Sequence, residues 1–192
     1  MPKLAANLTM LFNEVEFLDR FAAAAKAGFN GVEYLFPYDY DKNVLKQKLT
    51  EHKLTQVLHN LPAGNWSAGE RGIACHPDRI KEFEASVDKA IDYATALGCK
   101  QLNCLAGVRP PGLDPIDARE TFIKNLQYAA PRFKAAGIKL LIEAINTRDI
   151  PGFFLCNTLQ ASTSSRPSAP TTCSCSTTSI TCRSWKAISR PP

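Results

Sequence analysis

The sequence predicts an α/β fold made of parallel β-α units, and three observations carry this prediction. From residue 3 to about residue 155, the hydrophobic period changes repeatedly between two, typical of strands, and about 3.6, typical of helices, with the strand always first. Parallel neighbouring strands need a crossover connection, which a helix supplies. Polar residues also occur near the carboxyl end of every predicted strand.

Five segments have the strand pattern, and they cover residues 3–8, 31–36, 54–60, 100–107 and 138–145. Four helices are predicted between them, within residues 14–28, around residues 44–49, and within residues 77–98 and 114–137. A proline near the start and a glycine after the end bound the third helix. The apolar faces of the four helices are Phe17, Leu18, Phe21 and Ala25; Val44, Leu45 and Leu49; Ile80, Phe83, Val87, Ile91, Ala94 and Leu97; and Ile116, Ile123, Leu126 and Phe133.

Two architectures fit this order of elements, an open doubly wound sheet and a (β/α)8 barrel. No GxGxxG motif follows the first strand, and polar residues at the carboxyl ends of strands are typical of a barrel's active site. Those polar residues are Asn7, Glu33, His59, Asn60, Asn103, Glu143 and Asn146. A (β/α)8 barrel typically needs about 250 residues. The regular pattern stops after five units, so the sequence predicts a truncated TIM barrel over residues 1–160.

The composition is that of a globular protein. Hydrophobic residues make up 45% of the chain and charged residues 21%, which allows one domain with a substantial core. No run of about 18 apolar residues is present, and the first residues lack the order of a secretory signal. We therefore expect a soluble, cytoplasmic protein that makes no contact with a membrane.

The net charge of +5 does not indicate a nucleic-acid partner. Arg166, Arg183, Lys186 and Arg190 contribute four positive charges from a segment without acidic residues, which leaves only +1 for the rest of the chain. No basic patch with interleaved aromatic residues remains to bind phosphates. The expected partner is a small molecule, and the sequence does not indicate an oligomeric state.

The cysteines do not indicate a zinc site. Cys75, Cys99, Cys104 and Cys156 are spread through the body of the chain, and three of them lie in or beside apolar segments. A free thiol in such a segment packs as a small hydrophobic group. The three cysteines after residue 160 have neither a CxxC pair nor a nearby histidine.

Glu143 is the strongest candidate for chemistry. It interrupts the apolar run "LLIEAI" at the end of the fifth predicted strand, where an ionised carboxylate is costly unless a metal ion or a cation compensates it. A metal ligand or a catalytic base is the first interpretation, and a glutamate ion-paired inside the barrel is the alternative. Glu33 is a similar but weaker candidate.

Three further residues are candidates for substrate binding. His59 and Asn60 end the third strand and could orient the oxygen atoms of a substrate, although His59 could equally be a hydrogen-bonded core residue. The glycine-rich segment 62–76 is typical of a loop that covers an active site. Within it, Arg71 could bind a substrate carboxylate with two hydrogen bonds, and a solvated surface arginine is the alternative.

Several long strings resemble the hydroxypyruvate isomerase family. They are "GFNGVEYLFPYDYD", "LHNLPAGNWSAGERGIAC", "NCLAG" and "LLIEAINTRDIPGF", and the resemblance covers residues 1 to about 160. It implies a (β/α)8 barrel of the xylose-isomerase-like kind. It also implies interconversion of hydroxypyruvate and tartronate semialdehyde, in glyoxylate metabolism.

The same resemblance implies a divalent metal ion, Mg²⁺ or Mn²⁺, with Glu143 both as a metal ligand and as one of two catalytic glutamates. The family usually has proline after this glutamate, whereas this chain has Ala144. A divalent cation can polarise a carbonyl while a carboxylate moves a proton through an enediolate. The family takes its other ligands and its second glutamate from later strands, for which this chain has no matching residues.

Residues 161–192 have a different composition, rich in serine, threonine, proline and cysteine. With few large apolar residues, this segment is predicted to be disordered. A shift of one base within codons allowed for residues 175–187 can read Gln-Tyr-Asp-Ile-Tyr-His-Met-Gln-Val-Met-Glu-Gly, which resembles the family's next strand. The segment is therefore interpreted as an out-of-frame translation, and a functional interaction tail is the alternative.

Two classes of function follow. The first is a metal-dependent isomerase of hydroxypyruvate or of a related acid such as 2-oxo-tetronate, with the 192-residue chain itself inactive and poorly soluble. Poor solubility is expected because the first and fifth strands would keep unpaired edges. The second is a non-catalytic fragment or binding module.

Overall fold

The computed structural model describes residues 3–157 and the backbone of residues 181–184. Strands and helices alternate in it, as the hydrophobic periods predict. They are β1 (Ala5–Asn7), α1 (Arg20–Lys26), β2 (Gly31–Glu33), α2 (Lys42–Glu51), β3 (Thr55–Asn60), α3 (Ile80–Leu97), β4 (Gln101–Cys104), α4 (Pro115–Ala135), β5 (Lys139–Ala144) and β6 (Thr181–Ser184). Short 3-10 helices, Phe17–Asp19 and Pro77–Arg79, precede α1 and α3.

The strands pair in parallel, in the order β1-β2-β3-β4-β5-β6. Each successive strand is therefore added on the same side of the sheet. A doubly wound sheet reverses its direction of growth at a switch point, whereas a barrel does not. The order of the described strands thus confirms the barrel type of winding, and β1 and β6 form the two edges of the described sheet.

The structure differs from the prediction of a wholly disordered C-terminal segment at residues 181–184. Their backbone pairs with β5, from Leu141 opposite Thr181 to Ala144 opposite Ser184, so the edge of β5 is covered there. An unpaired strand edge offers hydrogen-bonding groups to any extended segment, and threonine favours the extended conformation. The rest of this segment, residues 161–180 and 185–192, lies outside the described residues.

Capping residues explain where the helices begin and end. The side chains of Asp41 and Asp114 accept hydrogen bonds from the backbone N–H groups of Asn43 and Ile116, both at 2.7 Å, at the starts of α2 and α4. Gly98 ends α3 in the left-handed conformation, with φ of 68°, as the sequence predicts. Among the described helices, none has both the length and the apolar character that crossing a membrane requires.

The predicted face of α4 needs one correction. Ile116 was expected on the buried side, but it is 67% exposed. It lies two positions, or about 200° around the helix, from Ala118. The buried stripe starts at Ala118 and continues through Phe122, Leu126, Ala129 and Phe133.

Two apolar clusters fill the helix-facing side of the sheet. The larger joins β4 and β5 to α3 and α4 through residues such as Phe83, Val87, Leu102, Phe122 and Ile142. The smaller joins β1 and β2 to α1 and α2 through residues such as Ala6, Phe21, Val32 and Leu45. Because side chains alternate along a strand, the neighbouring residues of these strands face the opposite side, which is the interior of the barrel.

The loops after β3, β4 and β5 pack against one another at the carboxyl end of the sheet. The backbone N–H of Cys75 donates to the carbonyl of Ala106 at 2.9 Å, and that of Phe154 donates to Gly107 at 2.8 Å. Gly72 and Gly107 have positive φ of 116° and 100°, and a Cβ on Gly107 would clash with the Gly72 carbonyl. These contacts join the three loops into one continuous rim.

The buried cysteines pack as the sequence predicts. Cys75, Cys99 and Cys104 are free thiols and are at most 1% exposed. Burial raises the pKa of Cys75 and of Cys104 to about 12, so both thiols remain protonated at neutral pH. They contribute to packing and are not nucleophiles in this state.

Candidate functional site

A cavity of about 580 Å³ opens at the carboxyl ends of the strands, inside the rim of loops. Its wall is largely apolar, with Tyr34, Leu35, Leu58, Trp66 and Leu105 among the lining residues. The polar lining residues are Asn7, Glu33, His59, Asn60, Arg71, Glu143, Asn146 and Asp149. The four residues that the sequence singles out for catalysis or substrate binding therefore come together at one cavity.

A row of three polar side chains crosses β3, β4 and β5 inside the barrel. The Nδ2 atom of Asn103 donates to Asn60 Oδ1 at 3.1 Å and to Glu143 Oε2 at 3.0 Å. Asn60 and Asn103 face each other directly in the parallel register, which places both side chains on the same face of the sheet. Asn103 therefore fixes the orientation of the Glu143 carboxylate at the floor of the cavity.

A second carboxylate lies across β1 and β2. Asn7 and Glu33 are opposite each other in the register, and Asn7 Nδ2 donates to Glu33 Oε1 at 3.1 Å. The Oδ1 atom of Asn7 accepts a hydrogen bond from the backbone of Thr9 at 3.0 Å, which holds the amide in place. Glu33 thus lines the same cavity as Glu143, on a separate pair of strands.

His59 lies on the other face of β3 from Asn60. It is opposite Leu102 in the register, and Leu102 belongs to the cluster that packs against the helices. The His59 ring packs edge-on against Tyr38, and its Nδ1 atom is 3.4 Å from the Tyr38 hydroxyl and 3.2 Å from the Asn60 carbonyl oxygen. This placement favours the alternative of a hydrogen-bonded core histidine over a direct substrate contact.

Burial also determines the charge of His59. The residue is 1% exposed, and burial lowers its pKa to about 4. Its Nε2 atom has no hydrogen-bond partner among residues 3–157. At neutral pH the imidazole is uncharged, so it does not provide a cation for an anionic substrate.

Arg71 lies on the loop side of the cavity. Its guanidinium stacks on the Trp66 ring, with Cζ 4.1 Å from the ring centroid, and Trp66 packs against Phe36 with ring centroids 4.9 Å apart. Arg71 Nη1 donates to the carbonyls of Trp66 and Glu70 at 3.0 and 2.8 Å. The Nε and Nη2 atoms make no hydrogen bond within the described part of the chain, so this edge can bind a carboxylate bidentately.

Sequence reasoning did not assign a role to Asn103, Trp66 or Tyr38. Asn103 was recognised only as a polar residue at the end of a strand, although its place beside Asn60 and Glu143 in a parallel sheet could have indicated the bridge. Trp66 was missed because its ring stacks on Arg71, five residues later in the same irregular loop, and such a contact leaves no periodic pattern in the sequence. Tyr38 matters through its hydroxyl, which donates to the Asn60 carbonyl at 2.7 Å.

The divalent metal ion implied by the family resemblance needs more ligands than the described residues provide. Within residues 3–157, no group of three or more His, Cys, Asp or Glu side chains is placed to hold a metal ion. Mg²⁺ requires a nearly octahedral set of about six oxygen ligands and usually keeps several waters. Glu143 and its amide partner do not form such a set alone, so the described donors do not fit a complete metal site.

The arrangement is suited to a small anionic substrate. One side of the cavity carries oriented carboxylates, Glu143 and Glu33, and the other side carries the guanidinium of Arg71. A guanidinium can hold a carboxylate group while a carboxylate base removes a proton from a neighbouring carbon. The apolar wall around them limits access of water to such a reaction.

Comparisons with known proteins agree with this architecture. The model of the family described as Xylose isomerase-like TIM barrel matches residues 21–163. Hydroxypyruvate isomerase of Escherichia coli (strain K12) is 54% identical over 161 residues, which are 84% of this chain and 62% of that protein. 2-oxo-tetronate isomerase of Pectobacterium atrosepticum is 49% identical over 161 residues, again 84% of this chain and 62% of that protein. The chain thus spans less than two thirds of the length of these curated relatives.

Solved structures give the same fold. The crystal structure of AP endonuclease, family 2, from Brucella melitensis has a TM-score of 0.82 and 48% identity, covering 86% of this chain and 66% of that one. D-allulose 3-epimerase from Methylomonas sp. has a TM-score of 0.63 and 20% identity, covering 84% of this chain and 57% of that one. At this lower identity, the second likeness concerns the fold alone.

Proposed function

The chain belongs to the xylose isomerase-like TIM barrel family, and we propose that it is part of an isomerase that interconverts hydroxypyruvate and 2-hydroxy-3-oxopropanoate. The observation that carries the proposal is the position of Glu143. Its carboxylate is oriented by Asn103 at the carboxyl end of a barrel strand, in a cavity that also contains Arg71. The 54% identity to a hydroxypyruvate isomerase supports the choice of substrate.

The proposed reaction moves a carbonyl between neighbouring carbon atoms. A base removes a proton from C3 of hydroxypyruvate, which gives an enediolate shared by C2 and C3. Return of that proton to C2, together with transfer of the hydroxyl proton from the C3 oxygen to the C2 oxygen, produces the aldehyde at C3 and the hydroxyl at C2, so atoms and charge balance. Glu143 is the proposed base, and Arg71 would hold the C1 carboxylate, which fixes C2 and C3 relative to the base.

The divalent metal ion, Mg²⁺ or Mn²⁺, is part of the proposal by family resemblance. When bound, such an ion would polarise the carbonyl and stabilise the negative charge of the enediolate. Glu143 would be its ligand from residues 3–157, and the other ligands would come from outside them. We therefore expect the 192-residue chain as written to lack turnover, since the described residues do not complete the site.

The test uses the restored-frame enzyme, in which the residues after Ala161 are re-encoded in the shifted reading frame. With Mg²⁺ or Mn²⁺ it should isomerise hydroxypyruvate, and Glu143→Gln should lower kcat by at least about 100-fold, as expected for loss of a general base. Arg71→Ala should instead raise KM more than it lowers kcat, because carboxylate binding is largely equal in ground and transition states. Near-normal kcat in Glu143→Gln would contradict the proposal.

A second substrate, 2-oxo-tetronate, is favoured by a specific observation. Several relatives named 2-oxo-tetronate isomerase are 46–49% identical to this chain, close to the value for the hydroxypyruvate isomerase. Both acids carry a carboxylate beside a carbonyl, so Arg71 and Glu143 would have the same roles. The ratio of kcat/KM for the two acids in the restored-frame enzyme decides between them. We further propose a cytoplasmic location and a small-molecule partner rather than a nucleic acid.

A further inference from the structure

We propose that an ion pair between Glu70 and Arg79 holds the tip of the loop 61–76 in the position where Arg71 can bind a substrate carboxylate. Neither residue lines the cavity, so both are positioning residues. The inference rests on the proposed function, because Arg71 is the proposed carboxylate anchor. The experiment below therefore includes variants whose results distinguish a failure of this inference from a failure of the proposed function.

The base and the tip of this loop are held in different ways. At the base, backbone hydrogen bonds run from Gly72 to Ala63 at 3.0 Å and from Cys75 to Ala106 at 2.9 Å. Gly72 also lies too close to the Leu105 carbonyl to accept a Cβ atom. The base is therefore fixed by packing against the next loop. The tip, residues 65–71, is joined to the rest of the protein by two side chains: Trp66, whose ring packs against Phe36, and a charged side chain that reaches α3.

The charged side chain is Glu70. Its Oε2 atom accepts the backbone N–H of Asn65, which closes the tip on itself. Its Oε1 atom is 2.5 Å from Arg79 Nη1, at the start of α3. Gly64 leaves the space that the Glu70 carboxylate occupies, since a Cβ there would clash with Oε2. One carboxylate therefore ties the tip of the loop to a helix of the barrel.

Arg79 is itself held in place. Its Nε and Nη2 atoms donate to the two carboxylate oxygens of Glu82, at 2.7 and 2.6 Å, one turn further along α3. The side chains of Glu70 and Arg79 are only 32% and 25% exposed, which reduces screening by solvent. The hydrogen bond from Arg79 also lowers the pKa of Glu70, so the pair remains charged at neutral pH.

The tip determines where the guanidinium of Arg71 lies. Arg71 Nη1 bonds to the carbonyls of Trp66 and Glu70, and its plane stacks on the Trp66 ring. Each of these partners belongs to the tip, so Arg71 moves with the tip. If the bond between Glu70 and Arg79 is lost, the base of the loop remains docked and Trp66 still contacts Phe36, but the tip loses its polar bond to α3 and Arg71 is held less firmly over the cavity.

The experiment measures binding of hydroxypyruvate to the full 192-residue chain, so that no turnover is required. All variants carry Trp185→Phe, because Trp66 and Trp185 are the two tryptophans of the chain and Trp66 fluorescence then reports on the tip alone. Calorimetric titration gives Kd. Glu70→Gln and Arg79→Ala should each raise Kd about fivefold, the effect of losing an ion pair near the upper end of the surface range. Quenching of Trp66 by acrylamide should increase in both variants.

Two further variants separate a positioning role from a general structural one. Glu82→Gln removes the other partner of Arg79 without touching the loop, and it should change Kd less than twofold. Arg79→Lys keeps one charged donor for Glu70 and should recover most of the affinity lost in Arg79→Ala. Circular dichroism should be the same for all variants, because Glu70 and Arg79 lie outside both apolar clusters.

The outcomes are distinct. An unchanged Kd in Arg71→Ala would overturn the proposed anchor and therefore this inference as well. A weakened Kd in Arg71→Ala together with unchanged values in Glu70→Gln and Arg79→Ala would overturn this inference while leaving the proposed function intact. An effect of Glu82→Gln as large as that of Glu70→Gln would also overturn it, since the loop would then not be the element affected.

Discussion

The two sides of the cavity hold their functional groups in different ways. On the strand side, Asn60, Asn103 and Glu143 are placed by the register of three parallel strands and bonded to one another. On the loop side, Trp66 and Arg71 are placed by stacking and by an ion pair that is partly exposed. Asn60 and Asn103 are buried and cannot turn to water, so their hydrogen bonds are costly to break, whereas a partly exposed contact is partly replaced by water and costs less to lose. Substitutions should therefore affect stability and turnover on the strand side, and substrate affinity on the loop side.

The largest effect is expected where the loop side is joined to the strands. Gly107→Ala places a methyl group against the Gly72 carbonyl at a residue with φ of 100°. Steric conflict and backbone strain together should lower the free energy of unfolding by about 3 kcal/mol, measured by urea denaturation. Gly112→Ala is the matched control, because φ is 79° there and no atom lies within 4 Å of the added carbon. An equal decrease in the free energy of unfolding in the two variants would show that the close contact between Gly107 and Gly72 does not contribute to stability.

Asn103→Ala tests the strand side directly. The amide links two partners, and Asn60 Oδ1 would remain buried without its donor. We expect the free energy of unfolding to fall by about 2 kcal/mol, together with a reduced kcat in the restored-frame enzyme. Asn125→Ala is the control on the helix-facing side, where the amide donates once, to the Ala74 carbonyl at 2.9 Å. A stable Asn103→Ala protein with normal kcat would contradict the importance of the row.

His59 provides a test by pH. Its pKa of about 4 in the folded protein lies below the unfolded value of 6.5, so unfolding takes up a proton between these pH values. This contribution to stability is complete above about pH 6.5 and is lost as the pH falls toward 4. Between pH 7 and pH 5 the free energy of unfolding should decrease by about 2 kcal/mol more than in His59→Phe, which keeps an aromatic ring beside Tyr38. Parallel pH profiles for the two proteins would show that His59 is accessible to protons.

The smallest effect is expected from Trp66→Leu on the loop side. This change removes the ring on which Arg71 stacks but keeps an apolar side chain beside Phe36. A partly exposed cation–π contact contributes about 0.5–1 kcal/mol, so the Kd for hydroxypyruvate should rise about threefold. Calorimetric titration measures this directly, and urea denaturation should show almost no change. A loss of stability as large as that of Asn103→Ala would remove the distinction between the two sides.

Much of the fold and part of the site could be predicted from sequence because they depend on local periodicity. The alternation of strand and helix, the glycine that ends α3 and the position of Glu143 at a strand end all follow from short-range patterns. His59 shows what the sequence alone does not give, which is the face of the sheet on which a strand residue lies. It was grouped with Asn60 because they are neighbours, yet neighbouring residues of a strand face opposite sides. Pairing with Leu102 decides that His59 is the one that faces the helices.

The C-terminal segment shows that composition alone does not predict strand pairing. Its composition predicts disorder, since few large apolar residues are available to repay the entropy of ordering. The backbone of β6 nevertheless pairs with β5, because strand pairing uses hydrogen-bonding groups that every residue except proline possesses. Composition describes side chains only. The pairing of β6 depends instead on the backbone edge of β5, which is distant in the sequence.

The sequence by itself determined the order of strands and helices, the parallel connections and the presence of a carboxylate at the end of β5. These features depend on residues close together in the chain, whose spacing fixes which side of an element is apolar. Only the tertiary structure decided that Asn103 joins Asn60 to Glu143, that His59 is a core residue, and that Glu70 reaches Arg79. Each of these contacts depends on strand register or on the path of an irregular loop, and neither leaves a periodic pattern in the sequence.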